Sequence, residues 1–264
     1  MTRARKRRSP RRTRPAHGAG RVEVTRAGGC VVATLDRPAA RNRLSAAMAL
    51  RLIELAEEVE DDADALMLAI RGAGGNFCAG FDPEVERIAP RVVESIAVLT
   101  KPTLGILDGV VADEGLELAL ATDLRVAARS ARLAMGQLKD GRMPHFGGTQ
   151  RLPRLVGPAQ ALRMLLTGVA LDGNAAMRMG LVTYVAAGRA GLERLVKQVV
   201  RAVTSRGPIA MRLAKEAVRK GYDVTLEQGI RLEEDLYALL QTTADRAEGI
   251  RAFLGKRKPL FRGA

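Results

Sequence analysis

The 264-residue chain is long enough to bury a sizeable core, either as one large domain or as one domain with an appended helical lobe. Its hydrophobic content of 47% suits a globular protein, and no apolar run approaches the ~18 residues that a membrane span requires. The net charge of +14 is unevenly spread: residues 1–16 hold eight basic residues (Arg3, Arg5, Lys6, Arg7, Arg8, Arg11, Arg12, Arg14) and no acid, which leaves +6 for the rest. This arm lacks apolar core residues and is expected to be disordered. No hydrophobic segment follows its arginine pairs, so it does not read as an export signal. Its charge alone suffices for weak binding of nucleic acid or anionic lipid. The two cysteines, Cys30 and Cys78, have no metal-ligand spacing and read as reduced thiols of a cytoplasmic protein.

In chain order, residues 21–25 and 30–35 predict a β-hairpin across Ala27-Gly28-Gly29. Residues 45–59 predict a helix with Ser45 as its N-cap. Residues 65–70 form a short apolar strand suited to burial on both faces. A loop over 72–80 precedes Phe81-Asp82-Pro83 and a helix over 84–99. An apolar strand over 102–107 enters a turn at Asp108-Gly109. A helix over 113–121 follows, carrying Glu117 on an otherwise apolar face. Strands are expected at 123–128 and 132–135, helices at 149–155, 157–166 and 170–179, and a strand at 181–185. Beyond residue 192 only helices are expected. One carries the apolar stripe Leu192, Leu195, Val196, Val199, Val200, Val203, which reads as intramolecular core. The expected organisation is a basic arm (1–20), an alternating α/β core (21–190) and a helical lobe (191–264).

Several motifs fall in order along this frame: Leu35-Asp36-Arg37-Pro38 with Asn42 and Leu44, Phe77-Cys78-Ala79-Gly80-Phe81-Asp82, and Lys101-Pro102. Leu166-Thr167-Gly168 with residues 175–182, and Ala252-Phe253-Leu254-Gly255-Lys256-Arg257, complete the series. Together they resemble the enoyl-CoA hydratase/isomerase (crotonase) superfamily over residues 21–264. The resemblance implies an α/β fold: a spiral of repeated ββα units with a C-terminal helical lobe that joins homotrimers, often as pairs of trimers. It also implies an acyl-CoA thioester as the ligand and no separate cofactor, because coenzyme A arrives with the substrate.

Reactions of that family pass through an enolate-like oxyanion held by two main-chain N–H donors, one at a helix N-terminus. By resemblance the first donor is the amide of Phe81. The second maps to Glu114, within Asp113-Glu114-Gly115, where the family has a glycine run. The first of two catalytic carboxylates maps to Glu117. The second maps to Gln137, where the family has Pro-Glu; a glutamine cannot exchange a proton but can orient water. Glu114 lies three residues before Glu117, a spacing that lets two carboxylates share a helix face and raise one pKa. His145 stands where the family has a glycine and could supply acid or base chemistry near neutrality. The resemblance places the main chain near Cys78, Phe81 and Pro83 against the adenine side of coenzyme A. It also brings Phe253 and Lys256 to the CoA, with Arg41 or Arg43 facing phosphates.

Three functions stay open on the sequence. The first is a hydratase that adds water reversibly to a 2-enoyl-CoA. The second is other thioester chemistry on the same fold: isomerisation, hydrolysis or decarboxylation. The third is a catalytically impaired acyl-CoA binder with a nucleic-acid-binding arm.

Overall fold

The structure, a computed structural model, describes Gly18 and residues 20–264, so the expectations for residues 1–16 lie outside the described residues. Strands β1 (Arg21–Ala27) and β2 (Cys30–Asp36) pair antiparallel with Ala27 opposite Cys30. The turn between them is Gly28-Gly29, at φ 57° and 77°. A two-residue hairpin turn that matches strand twist needs positive φ at both positions, which glycine supplies without strain. Helix α1 (Ala46–Asp61) begins where expected, with the Ser45 hydroxyl accepting from the Met48 amide at 3.4 Å.

Four further strands, β3 (Met67–Gly72), β4 (Thr103–Leu107), β6 (Leu124–Ala128) and β8 (Tyr184–Ala186), extend β2 in parallel. The resulting six-stranded sheet has the order β1-β2-β3-β4-β6-β8. Every residue of β4 is buried, as an apolar central parallel strand demands. Short strands β5 (Val110–Ala112) and β7 (Arg132–Ala134) pair beside this sheet. Single bridges Leu44–Phe81, Cys78–Val111 and Leu133–Leu171 continue that second layer. The chain thus repeats a long strand, a short strand and a helix. In one such unit β4 and β5 lead into α3 (Glu114–Leu120).

Three expectations need correction. The helix over 84–99 is a 3-10 turn at Pro83–Val85 followed by α2 (Ala89–Ala97). Pro90 lies in the first turn of α2, where its missing N–H costs nothing; inside one continuous helix it would break the ladder. Strand β5 is not predicted at all, because three residues are too few for alternation to show. The strand expected at 181–185 is β8, displaced toward the C-terminus. Leu181 and Val182 are instead buried ahead of it, and the Thr183 amide donates to Arg125 O at 2.8 Å.

Helices α4 (Gly148–Val156), α5 (Pro158–Thr167) and α6 (Gly173–Arg178) follow β7. Helix α7 (Gly188–Thr204) buries Leu192, Val196 and Val199, and Leu195, Val200 and Val203 pack beside them, so the predicted stripe is core. Helices α8 (Pro208–Gly221) and α9 (Leu226–Gln241) bury no residue within the chain. Lys215 and Arg219 of α8 tie it to the body through Asp123, each at 2.7 Å. Helix α10 (Ala244–Leu254) holds the end of the chain: Asp245 accepts from the amides of Arg262 and Gly263 at 2.7 and 2.9 Å.

The contact that positions the site is the approach of α3 to residues 77–81. A Cβ at Gly115 would stand 2.3 Å from Cys78 O, so only glycine lets the helix come this close. Gly115→Ala must push α3 away from Cys78. It should lower stability by about 1–3 kcal/mol in urea unfolding, the usual cost of overpacking. An unchanged midpoint would mean that the two segments separate freely.

Candidate active site

The loop over 72–81 is fixed by side chains from the first motif. Asn42 Nδ2 donates to Ala73 O at 2.8 Å and to Asn76 O at 2.6 Å, and its Oδ1 accepts from the Arg37 amide at 2.9 Å. Arg43 donates to Ala79 O and Phe81 O and pairs with Asp82 at 3.3 Å. Arg43 is therefore committed to holding this loop. Arg41 is exposed and makes no side-chain hydrogen bond among the described residues. Cys78 is buried, and burial pushes its thiol up to about 12, so it packs rather than reacts.

The residue before α3 carries the backbone strain. Asp113 sits at φ 52°, ψ −123°, a conformation that L-residues rarely adopt. Two contacts hold it there: its amide donates to Ala134 O at 3.0 Å, and its Oδ1 accepts from the Gly136 amide at 2.7 Å. Glu114 itself begins the helix and is not among the positive-φ residues. Its amide is thus an ordinary first-turn N–H, and it has no hydrogen-bond partner among the described residues.

The Glu114 side chain turns inward rather than to solvent. Its Oε2 accepts from the Phe81 amide at 3.2 Å, and its Oε1 pairs with Arg142 Nη1 at 2.5 Å. A carboxylate oxygen of the protein itself therefore takes up the Phe81 amide. Arg142 could not be placed from spacing, since it lies 28 residues from Glu114. The available signal is chemical: a carboxylate buried at a helix terminus calls for a cation, and the loop after Gln137 offers Lys139 and Arg142.

Glu117 is fully buried. Its Oε1 accepts from the amides of Phe146 and Gly148, both at 2.8 Å, and its Oε2 accepts from Gln137 Nε2 at 3.3 Å. Gly148 permits this approach, because a Cβ there would lie 2.8 Å from Glu117 Oε1. Burial raises the Glu117 pKa against the opposing pull of the two amides, and the nearby Glu114 charge adds to the rise. The shift anticipated from a carboxylate pair is thus chiefly a burial effect. Gln137 is buried as well, and its Oε1 has no hydrogen-bond partner among the described residues.

His145 is exposed and stays outside this cluster. Its ring lies against Phe146, centroids 3.8 Å apart, and its Nδ1 is 3.1 Å from Met143 O. Phe146 stacks in turn on Phe81 at 5.8 Å, so the two rings wall one side of the site. Phe253 is 83% exposed at the end of α10, and Lys256 is exposed beyond it. Within one chain neither shares a hydrogen bond or ion pair with the site among the described residues. Pro83 opens the 3-10 turn just after Phe81 and Asp82. No cluster of metal-ligating side chains occurs among the described residues.

The site thus brings together a buried carboxylate in the first turn of a helix, the two main-chain amides that donate to it and an adjacent buried amide side chain. The enoyl-CoA hydratase/isomerase family profile matches residues 25–264. A mitochondrial methylglutaconyl-CoA hydratase of Rattus norvegicus is 37% identical over 257 residues, covering 89% of this chain and 80% of its own. The 2,3-dehydroadipyl-CoA hydratase of Escherichia coli is 34% identical over 250 residues, covering 91% and 98%. The crystal structure of an enoyl-CoA hydratase from Bacillus anthracis superposes with a TM-score of 0.88 at 33% identity, covering 92% and 99%. The chain belongs to the enoyl-CoA hydratase/isomerase superfamily and has the crotonase fold.

The raised Glu117 pKa has a defined consequence for stability. A carboxyl whose folded pKa exceeds its unfolded value favours the fold fully below the unfolded pKa and loses that contribution as pH rises through the folded pKa. Glu117→Gln removes the ionisation and keeps an oxygen for the two amides. Its melting temperature relative to the parent should therefore be most favourable near pH 7 and decline toward about pH 4. A difference independent of pH would show that Glu117 does not titrate differently in the folded chain.

Proposed function

We propose that the protein catalyses reversible addition of water to a 2-enoyl-CoA, with Glu117 as the only proton-transferring carboxylate. The observation that carries this reading is the pair Glu117–Gln137: one buried carboxylate fixed by two amides, facing one buried amide with a spare acceptor. Two relatives are named as acyl-CoA hydratases, in line with the same reading.

In this mechanism the thioester oxygen accepts from the amides of Phe81 and Glu114 once the Glu114 carboxylate has left Phe81. The attacking water donates one O–H to Glu117 Oε2 and the other to Gln137 Oε1. Its oxygen bonds to C3 of the enoyl group while Glu117 takes a proton. The C2–C3 π electrons move into the thioester and give an enolate held by the two amides. Glu117 then returns its proton to C2. The raised Glu117 pKa suits both halves, because a carboxyl nearer neutrality gives and takes a proton with less cost. Gln137 positions water and exchanges no proton.

Coenzyme A enters with the substrate in this reading, and Arg41 or Arg43 would meet its phosphates; of the two, Arg41 makes no side-chain hydrogen bond among the described residues. The main chain from Cys78 to Pro83 carries the first oxyanion donor of this reading, the Phe81 amide, and would contact the adenine side. Phe253 and Lys256 would reach a CoA ester only across an interface. Exposed Val218, Leu226, Tyr237 and Phe253 on α8 to α10 support a homotrimer or a dimer of trimers. The free, buried cysteines suit a reducing compartment such as the cytoplasm. The Glu114 carboxylate on the Phe81 amide favours a second reading, an acyl-CoA binder without turnover.

Loss of enoyl absorbance on a panel of 2-enoyl-CoA esters separates these readings. Glu117→Gln should lower kcat by ~10² or more while ester binding persists. Gln137→Leu should lower kcat with KM little changed, and Gln137→Glu should raise the hydration rate by restoring a second carboxylate. Full activity in Glu117→Gln would refute the mechanism. Saturable binding of acetoacetyl-CoA without turnover in the parent or in Gln137→Glu would favour the binder.

A further inference from the structure

The oxyanion hole of this chain is already filled by its own side chain. Glu114 Oε2 lies 3.2 Å from Phe81 N, and Glu114 is only 4% exposed. A thioester oxygen can take that N–H only if the carboxylate moves. A neutral carbonyl is a weaker acceptor than the carboxylate it replaces, so the exchange is unfavourable by itself. A buried carboxylate that gives up its amide without another partner is worse still.

Arg142 offers that partner. Its guanidinium already holds the other oxygen, Oε1, at 2.5 Å, and its side chain is 47% exposed. Its other ion-pair contact among the described residues is a distant one, Asp140 at 3.9 Å, on a residue that is itself largely exposed. The fork therefore has donors to spare and room to shift toward solvent. The main chain roots it beside the site, since the Arg142 amide donates to Gln137 O at 3.0 Å. Gly141, just before it, has φ 69°, and Met143, just after it, is 65% exposed, so the arginine sits on an exposed turn.

Building on the thioester reading above, we propose that Glu114 is a displaceable plug of the oxyanion hole and that Arg142 is a positioning residue that draws its carboxylate aside when the ester enters. Arg142 acts through Glu114 and does not touch the thioester. In the free chain the carboxylate is shared between the Phe81 amide and Arg142. In the complex the ester oxygen holds the amide, and Arg142 alone holds the carboxylate. The guanidinium is thus worth more in the complex than in the free chain, and its loss must weaken ester binding. Removing Glu114 must tighten binding, because nothing then competes for the amide.

Isothermal titration of the full-length protein with acetoacetyl-CoA tests this as a double-mutant cycle. Glu114→Ala should tighten Kd by about tenfold, the size of one charge-assisted hydrogen bond. Arg142→Met should weaken it by about tenfold, with Arg142→Lys between that variant and the parent. In the Glu114→Ala background Arg142→Met should change Kd by less than about twofold, since its only route to the ester is gone. Glu114→Gln, which keeps the shape and lacks the charge, covers the case in which the alanine variant is unstable, and it should also bind more tightly than the parent. Equal effects of Arg142→Met in both backgrounds would mean direct contact with the ester and overturn the proposal. Unchanged affinity in Glu114→Ala and Glu114→Gln would overturn it while leaving the thioester reading intact. No binding by the parent or by any variant would refute both.

Discussion

The structure depends most on the close approach of the N-terminus of α3 to the carbonyl of Cys78, which Gly115 alone permits. Around that contact the second layer of short strands is pinned. The Ala112 amide donates to Cys78 O at 2.9 Å, and the amides of Phe77 and Cys78 each donate to Val110 O at 3.1 Å. The same contact brings the Glu114 carboxylate within 3.2 Å of the Phe81 amide. Gly109 supports it from behind: at φ 51° it turns the chain from β4 into β5, and a Cβ there would lie 2.1 Å from Gly75 O. Packing thus sets the chemistry, because no donor of the proposed oxyanion hole is itself a side chain.

Charge is handled by a few well-placed partners. Glu117 is buried and makes no ion pair among the described residues; its carboxylate accepts from two amides and from Gln137 and lies near the N-terminal end of the short helix that carries it. Glu114, one turn earlier, rests on one amide and one arginine. The two carboxylates have different environments: the first is enclosed by main-chain and side-chain amides in the interior, and the second is paired with a half-exposed arginine. Asp113 lies in a backbone region that normally calls for glycine and is held by hydrogen bonds at both its amide and its side chain.

Much of this was readable from residue patterns. The hairpin across Ala27-Gly28-Gly29, the Ser45 cap and the apolar strand expected over residues 102–107 follow from local chemistry, and each appears in the structure, the strand as Thr103–Leu107. Strand β5 and the break before α2 did not show, the first because three residues carry no period and the second because Pro90 can sit either in a first turn or at a kink. The likeness in motif marked Glu117, Gln137 and the Phe81 amide as neighbours. It did not show where the Glu114 side chain points. That direction is set by Arg142, far along the chain, and first-turn carboxylates face solvent equally well on local grounds. His145 illustrates the converse: a titratable residue in a suggestive place, drawn by an aromatic ring to the surface.

The most direct measurement of the central claim is a crystal structure of the full-length protein with acetoacetyl-CoA bound. The account predicts the thioester oxygen within about 3 Å of both Phe81 N and Glu114 N, with C3 of the acyl group between Glu117 Oε2 and Gln137. It also predicts the Glu114 carboxylate off the Phe81 amide and wholly on Arg142. An ester seated elsewhere, with Glu114 still accepting from Phe81, would contradict it.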